Sequence, residues 1–214
     1  MDLQPLATLL YPPADSHRLN GVVIGVVTNN QDPDKLGRVK VKLPWLTDDD
    51  ESHWARVVAP MAGNDRGLYF LPEVDDEVLV AFEHGMIEFP FVLGALWNGK
   101  DKGPESNDDG KNNKRTIKSR SGHIIRLDDS DGAEKIEIVD KTGKNSITFD
   151  ASANTLTIQA DSDITVQSSN GKLKLSGKGV EITSQDAVKI EASQGMDLKA
   201  SGQMNVNGAT VNIN

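Results

Sequence analysis

From Ile136 onward the chain repeats itself, and the repeat constrains the fold more than any other feature. Pairs of large apolar side chains, one residue apart, recur at Ile136/Ile138, Ile147/Phe149, Leu156/Ile158, Ile164/Val166, Leu173/Leu175, Val180/Ile182, Val188/Ile190, Met196/Leu198, Met204/Val206 and Val211/Ile213, with starts settling on a spacing of about eight. Two positions after a pair stands a small residue: Ala151, Ala160, Ser168, Gly177, Ser184, Ala192, Ala200 or Gly208. Strand side chains alternate in direction, so each repeat turns two large groups and one tiny one toward a shared interior. The tiny one marks a tight corner or a crossing near an axis.

An eight-residue strand and corner makes one wall, and an apolar interior needs three. One chain can supply three walls from consecutive octads, but these octads would give barely more than three coils. Three chains winding together supply one wall each at every level and leave no free lateral edge. The second arrangement is the expectation here: an intertwined trimeric triangular β-helix, or β-prism. Its core is Leu156, Ile158, Ile164, Val166, Leu173, Leu175, Val180, Ile182, Val188, Ile190, Met196, Leu198 and Val206, with corners at Ala160, Ser168, Gly177, Ser184, Ala192, Ala200 and Gly208. Outward positions carry Thr, Gln, Lys, Asp, Ser and Glu, a solvated surface.

Residues 20–97 read differently. "NGVVIGVVTNN", "GRVKVKLPWL", "HWARVVAPMAG", "DEVLVAFEHG" and "EFPFVLGALWNG" are runs of Val, Leu and aromatics bounded by Gly, Pro, Asn or Asp. Val39, Val41 and Leu43 alternate with Arg38, Lys40 and Lys42, which places the basic row outside. Five short strands without a helical period suit a closed barrel of OB type, with a small sandwich as the alternative. The fold class is therefore all-β, an OB-fold barrel followed by a β-prism. The expected segments are an N-terminal extension over 1–19, the barrel over 20–97, a linker over 98–120, transition strands over 121–150 and the octad spike over 151–214.

Composition excludes several functions. No apolar run reaches the roughly 18 residues of a spanning helix. The start, "MDLQPLATLLYPP", has Asp2 where a secretory signal wants a cation, so the expected site of assembly is the bacterial cytoplasm. Zero cysteines exclude disulfides, thiolate metal sites and cysteine nucleophiles. A net charge of −9 argues against nucleic acid as a partner, which needs a basic face.

Sites of chemistry are expected to be absent: no catalytic residue, cofactor or metal. His17, His53, His84 and His123 are scattered among turn-like neighbours. "DDSDG" at 128–132 lacks the acid spacing of a calcium loop and reads as a turn. "TGKNS" lacks the upstream glycine of a phosphate loop. The run Asp48, Asp49, Asp50, Glu51 alternates in direction and reads as a solvated loop. Trp45, Trp54 and Trp97 stand at strand ends with little basic interleaving, so the barrel core or a trimer interface is expected over a stacking platform. The rival function is a polysaccharide-processing β-solenoid enzyme with an OB carbohydrate module, and a weaker one is single-strand nucleic-acid binding.

The order "GVVIGVVTNNQDPDKLGRVKVKLPWL", "SHWARVVAPMAGNDRGLYFLPEVDDEVLVAFEHG", "FPFVLGALWNG", "SGHIIRLDD" and then octads resembles the spikes of contractile injection machines. These are the phage baseplate assembly protein V family and the VgrG spikes of type VI secretion and related extracellular systems. The resemblance spans roughly residues 20–214, and its most specific piece is "LPEVDDEVLVAFEHG" before "FPFVLGALWNG". It implies a homotrimer that links a hub to a tip and pierces a target envelope mechanically, contacting its membrane transiently and working with baseplate and inner-tube components. Full-length VgrG spikes carry a hub region before the barrel; with 19 residues before Asn20, a separate hub protein is the expected partner of the N-terminal and barrel side. Some phage relatives insert a lysozyme where 98–120 stands here, and others end in a His-x-His iron site. With no histidine after His123, the expected end is blunt, and Val211, Ile213 and Asn214 are expected to dock a separate PAAR-type tip protein.

Overall fold

A computed structural model describes residues 18–46 and 51–213. The expected N-terminal extension apart from Arg18 and Leu19, together with His17, the acids Asp48, Asp49 and Asp50, and the docking residue Asn214, lies outside the described residues. The chain divides into two units, Met1–Asp161 and Ser162–Asn214.

The first unit opens with a closed barrel built from the five expected runs: β1 (Val22–Asn29), β2 (Arg38–Lys42), β3 (Ala55–Val57), β6 (Glu77–Phe82) and β7 (Pro90–Ala95), in the order β1-β2-β3-β7-β6. Between β3 and β6 a small hairpin pairs β4 (Ala62–Gly63) with β5 (Arg66–Gly67). Alternation decides what is inside. Val39, Val41 and Leu43 join Val27, Ala55, Val78, Val80, Phe82 and Val92 in the buried core, while Arg38, Lys40 and Lys42 point outward. A parallel β3–β7 pairing closes the barrel, so no edge strand is left open. The β1–β2 loop is held by one carboxylate. Asp32 accepts backbone N–H groups from Asp34, Leu36 and Arg38 and the Arg38 guanidinium at 2.7 Å, which holds its carboxyl far below the usual range.

A second sheet follows, a five-stranded antiparallel meander of β8 (Lys114–Lys118), β9 (Ile124–Asp128), β10 (Lys135–Val139), β11 (Ser146–Asp150) and β12 (Thr155–Gln159). It reaches into both neighbouring segments of the sequence reading: β8 comes from the stretch read as linker, and β12 carries the first octad pair. The turns follow local chemistry. "DDSDG" is a turn in which Asp128 accepts the Ser130 N–H and hydroxyl. The β10–β11 turn is organised by Asp140, whose carboxylate accepts from Thr142 Oγ1 and from Asn145 N and Nδ2. Those bonds, led by the Thr142 hydroxyl, lower the Asp140 carboxyl to about 2.

Among the described residues of the second unit no strand is formed. Bends fall at 161, 169, 177, 185, 193, 201 and 209, a corner every eight residues.

Candidate assembly interface

The meander has two unlike faces, and the strand register assigns every residue to one of them. On the first face a row runs Ile117, Ile125, Ile138, Ile147, Ile158 across all five strands, and beside it runs Arg115, Leu127, Ile136, Phe149, Leu156. Isoleucine facing isoleucine across successive strands is favourable cross-strand packing. Yet in one chain this face is uncovered, with exposures from 36% at Ile147 to 58% at Ile158. An apolar patch of this extent marks an interaction surface.

The second face is mostly polar, with Ile124 and Val139 as its apolar members. Lys114, Asp128, Lys135 and Asp150 alternate in charge across four strands, and Thr116, Arg126, Glu137, Thr148 and Thr157 form the adjacent row. Arg126 stands at its centre, 2.8 Å from Glu105 and 3.4 Å from Glu137. Glu105 also accepts from the Thr116 hydroxyl at 2.7 Å, and these bonds, the Thr116 one foremost, lower its carboxyl. Burial alone would lower the Arg126 guanidinium, but Glu105 and Glu137 outweigh it and hold it above its ordinary value. This network fastens the irregular segment before β8 to the sheet's polar side, leaving the apolar side free. Sequence reasoning missed it, because nothing in "GPESND" marks Glu105 as the partner of an arginine 21 positions on.

The octad residues are arranged in the same way. Both members of each pair are exposed throughout, from 46% at Met196 to 73% at Leu198, and Val211 and Ile213 stand at 48% and 89%. Ala160, Ser168, Ser184, Ala192, Ala200 and Gly208 each directly precede a bend, and Gly177 lies on one. Gly177 is also crowded: an added Cβ would meet the Gly179 carbonyl oxygen at 3.1 Å. Leu156 and Ile158 sit on the apolar face of the meander, as the last strand of that sheet. Missed by the octad pattern were Ile117, Ile125 and Leu127 on the same face. Their signal was present in "IIRL", where Ile125 and Leu127 stand one residue apart, but Ile124 beside them blurred the alternation.

The remaining candidates do not converge. His53, His84 and His123 lie apart, His123 accepting the Lys141 N–H at 3.2 Å, and among the described residues no group of three or more His, Asp or Glu could hold a metal ion. None of the tryptophans enters the barrel core, contrary to one half of the expectation. Trp45 and Trp97 are 48% and 74% exposed, and Trp54 lies on the barrel's outer wall beneath Arg38 and Lys40. Among the described residues no helix is long and apolar enough to cross a membrane.

Comparison with known proteins bears on the barrel above all. Residues 23–97, which hold the barrel, match the family model of the type VI secretion system/phage-baseplate injector OB domain. The chain is also similar to three Pseudomonas aeruginosa proteins. It is 29% identical to type VI secretion system spike protein VgrG1a over 61% of its own length and 22% of that protein's. For spike protein VgrG1c the figures are 30%, 55% and 18%, and for VgrG2a 31%, 50% and 14%. The chain thus spans about a fifth or less of the length of these relatives. The resemblance to injector spikes read from the sequence holds, and so does the all-β class with its OB barrel.

Proposed function

We propose that this chain is the structural central spike subunit of a contractile injection machine, a homotrimer that works by rigidity and carries no catalysis. The observation that carries the reading is the second unit, whose described residues bend every eight positions, form no strand ladder and leave every apolar pair exposed. Such a chain pairs few of its backbone groups with itself, the Asp186 N–H and the Ala187 carbonyl with the Ser184 hydroxyl among them, and sister chains satisfy the rest. Three copies also bring three apolar meander faces together, which adds Ile117, Ile125 and Leu127 to the trimer core. The injector OB domain and the likeness to proteins named as spikes support the same role.

The finer parts of the proposal follow. A hub protein sits on the barrel side, together with baseplate and inner-tube components, and a PAAR-type tip docks on Val211 and Ile213. The assembly forms in the bacterial cytoplasm and is driven through a target envelope, touching its membrane only in passage. A dry three-walled rod with a continuous hydrogen-bonded wall is stiff along its axis, the property that piercing needs. Sedimentation equilibrium at micromolar concentration tests the central claim: the expected mass is three chains, about 70 kDa from 23.2 kDa each, and a monomer refutes it.

A further inference from the structure

The octads between Ile164 and Val206 keep one frame except at a single repeat. The bends at 161, 177, 185, 193 and 201 take two residues each, and after each of them the apolar pair stands three and five positions on from the first bend residue. The bend at 169 takes three residues, Ser169, Asn170 and Gly171, and its pair Leu173/Leu175 stands four and six positions on. Side chains alternate along an extended chain, so a shift by one position turns a residue to the opposite side. Counted in the common frame, the inward places of this repeat fall on Lys172 and Lys174. Two lysines from each of three chains, set in a dry interior without counter-charges, would cost more than the repeat's apolar pair contributes. The leucines take those places when one residue of the 169–171 bend loops out of the wall, as the extra residue of a β-bulge does. The chain doubles back at this bend: a Cβ added at Gly171 would lie 3.0 Å from Ser168 Oγ, and glycine has none. Gly177 restores the frame, since it is both the small residue closing this repeat and the first residue of the next bend.

The looped-out residues are an asparagine followed by a glycine, a pair with its own chemistry. Gly171 has no Cβ to shield its nitrogen or to restrict its backbone, and outside the wall its N–H is not held by a ladder bond. The Gly171 nitrogen attacks Asn170 Cγ. The new N–C bond closes a cyclic imide, the Cγ–Nδ2 bond breaks, and Nδ2 leaves as ammonia with the proton that the Gly171 nitrogen gives up. Water then opens either imide carbonyl, leaving aspartate or isoaspartate. The chain has three other Asn–Gly pairs, at Asn20, Asn98 and Asn207. Asn98 is locked on the barrel side: its Oδ1 accepts the Lys100 and Asp101 N–H groups at 2.8 and 2.7 Å, and its Nδ2 donates to Glu77 and Asp101. Asn20 Oδ1 is pressed against Gly85, 3.0 Å from where a Cβ would stand. Asn207 lies in the common frame, so in the trimer the Gly208 N–H belongs to the wall. Asn170 is exposed, and among the described residues its side chain makes no hydrogen bond.

We infer that, in the trimer proposed above, Asn170 is a modification site at which the rod deamidates spontaneously, each chain gaining a carboxylate at the same level. Because the residue lies outside the wall, the trimer survives the change. The test keeps the full chain at neutral pH for weeks, digests samples, and follows each Asn–Gly peptide by the mass gained when a hydroxyl group replaces an amino group. A parallel sample is kept in concentrated urea. In the native sample Asn170 reacts about five-fold faster than Asn207, the factor that opening one hydrogen bond of average net strength costs, and Asn98 reacts most slowly. In urea the four asparagines react at similar rates. A native sample that sediments as three chains while Asn207 keeps pace with Asn170, or in which Asn170 stays intact although it reacts in urea, overturns the site and leaves the trimer standing. A chain that sediments as a monomer overturns the trimer and the order of rates together.

Discussion

Replacing Ile138 with Asp places a carboxylate at the middle of the meander's apolar face, between Ile125 and Ile147 on the flanking strands. In a lone chain the position is 45% exposed. Water reaches the new carboxylate there, and the loss is about 1 kcal/mol of cross-strand packing. In the trimer the same position lies in a dry interior. The missing isoleucine forfeits about 1–1.5 kcal/mol, the half of its burial that association supplies. An uncompensated buried charge adds about 3–5 kcal/mol. Three copies lose this together, on the order of 12–20 kcal/mol per assembly, more than the standard free energy of many nanomolar complexes. The assays are sedimentation equilibrium and the thermal midpoint, which for an associating protein depends on concentration. The variant is expected to lose the trimer's share of its midpoint and to recover part of it near pH 4, as the carboxylate protonates. Where the octads still hold the chains together, amide exchange across Lys114–Gln159 rises to that of an open sheet. Thr157→Asp, on the polar face of the edge strand β12 and opposite Thr148, shifts stability by no more than about 0.5 kcal/mol. An Ile138→Asp protein with wild-type mass, midpoint and exchange would refute the face assignment, as would equal damage from Thr157→Asp.

In the octads, Ala192→Phe overfills a corner at about 1–3 kcal/mol per chain and lowers the trimer's melting midpoint, whereas Lys189→Ala, which loses only an exposed pair with Glu191, leaves it unchanged; equal tolerance of both contradicts an inward Ala192. Arg126→Ala removes ion pairs to Glu105 and Glu137 that are still about a quarter exposed, costs about 1–2 kcal/mol and speeds proteolysis between Gly103 and Asn113, measured by limited digestion. The Asp140 carboxyl, lowered to about 2 in the folded chain against an unfolded value near 4, contributes stability that is full above about pH 4 and disappears as pH falls toward about 2. Asp140→Asn is therefore expected to flatten the acid limb of the unfolding profile over that window and to lower stability at neutral pH; an unchanged limb assigns it to other carboxylates.

The barrel was legible where a strand has one face in water and one in the core, as β2 does. Arg38, Lys40 and Lys42 beside Val39, Val41 and Leu43 leave a single way to orient β2, and the turn residues around it limit its length. The meander was harder to read. β8 has one large apolar residue, Ile117, set among lysines, an arginine and a threonine, and its strand character comes from pairing with β9 rather than from its own composition. The tryptophans show the opposite difficulty: strand-end position and hydrophobicity suggested burial, but Trp54 lies beneath two cations on the outer wall. Side-chain type does not say which side of a barrel wall a strand-end residue takes.

The eight-residue spacing, the small residue that closes each repeat and the alternation of the barrel strands are properties of the sequence alone. They follow from the two-residue period of an extended chain and from the lack of room at a tight corner, neither of which needs a distant partner. Other features needed the folded chain. The register that lines up five residues in a row across the meander, the closure of β3 onto β7 and the reach of Arg126 to Glu105 all depend on which segments come to lie side by side. That choice is made by long-range pairing and shared burial, which no local window of sequence contains.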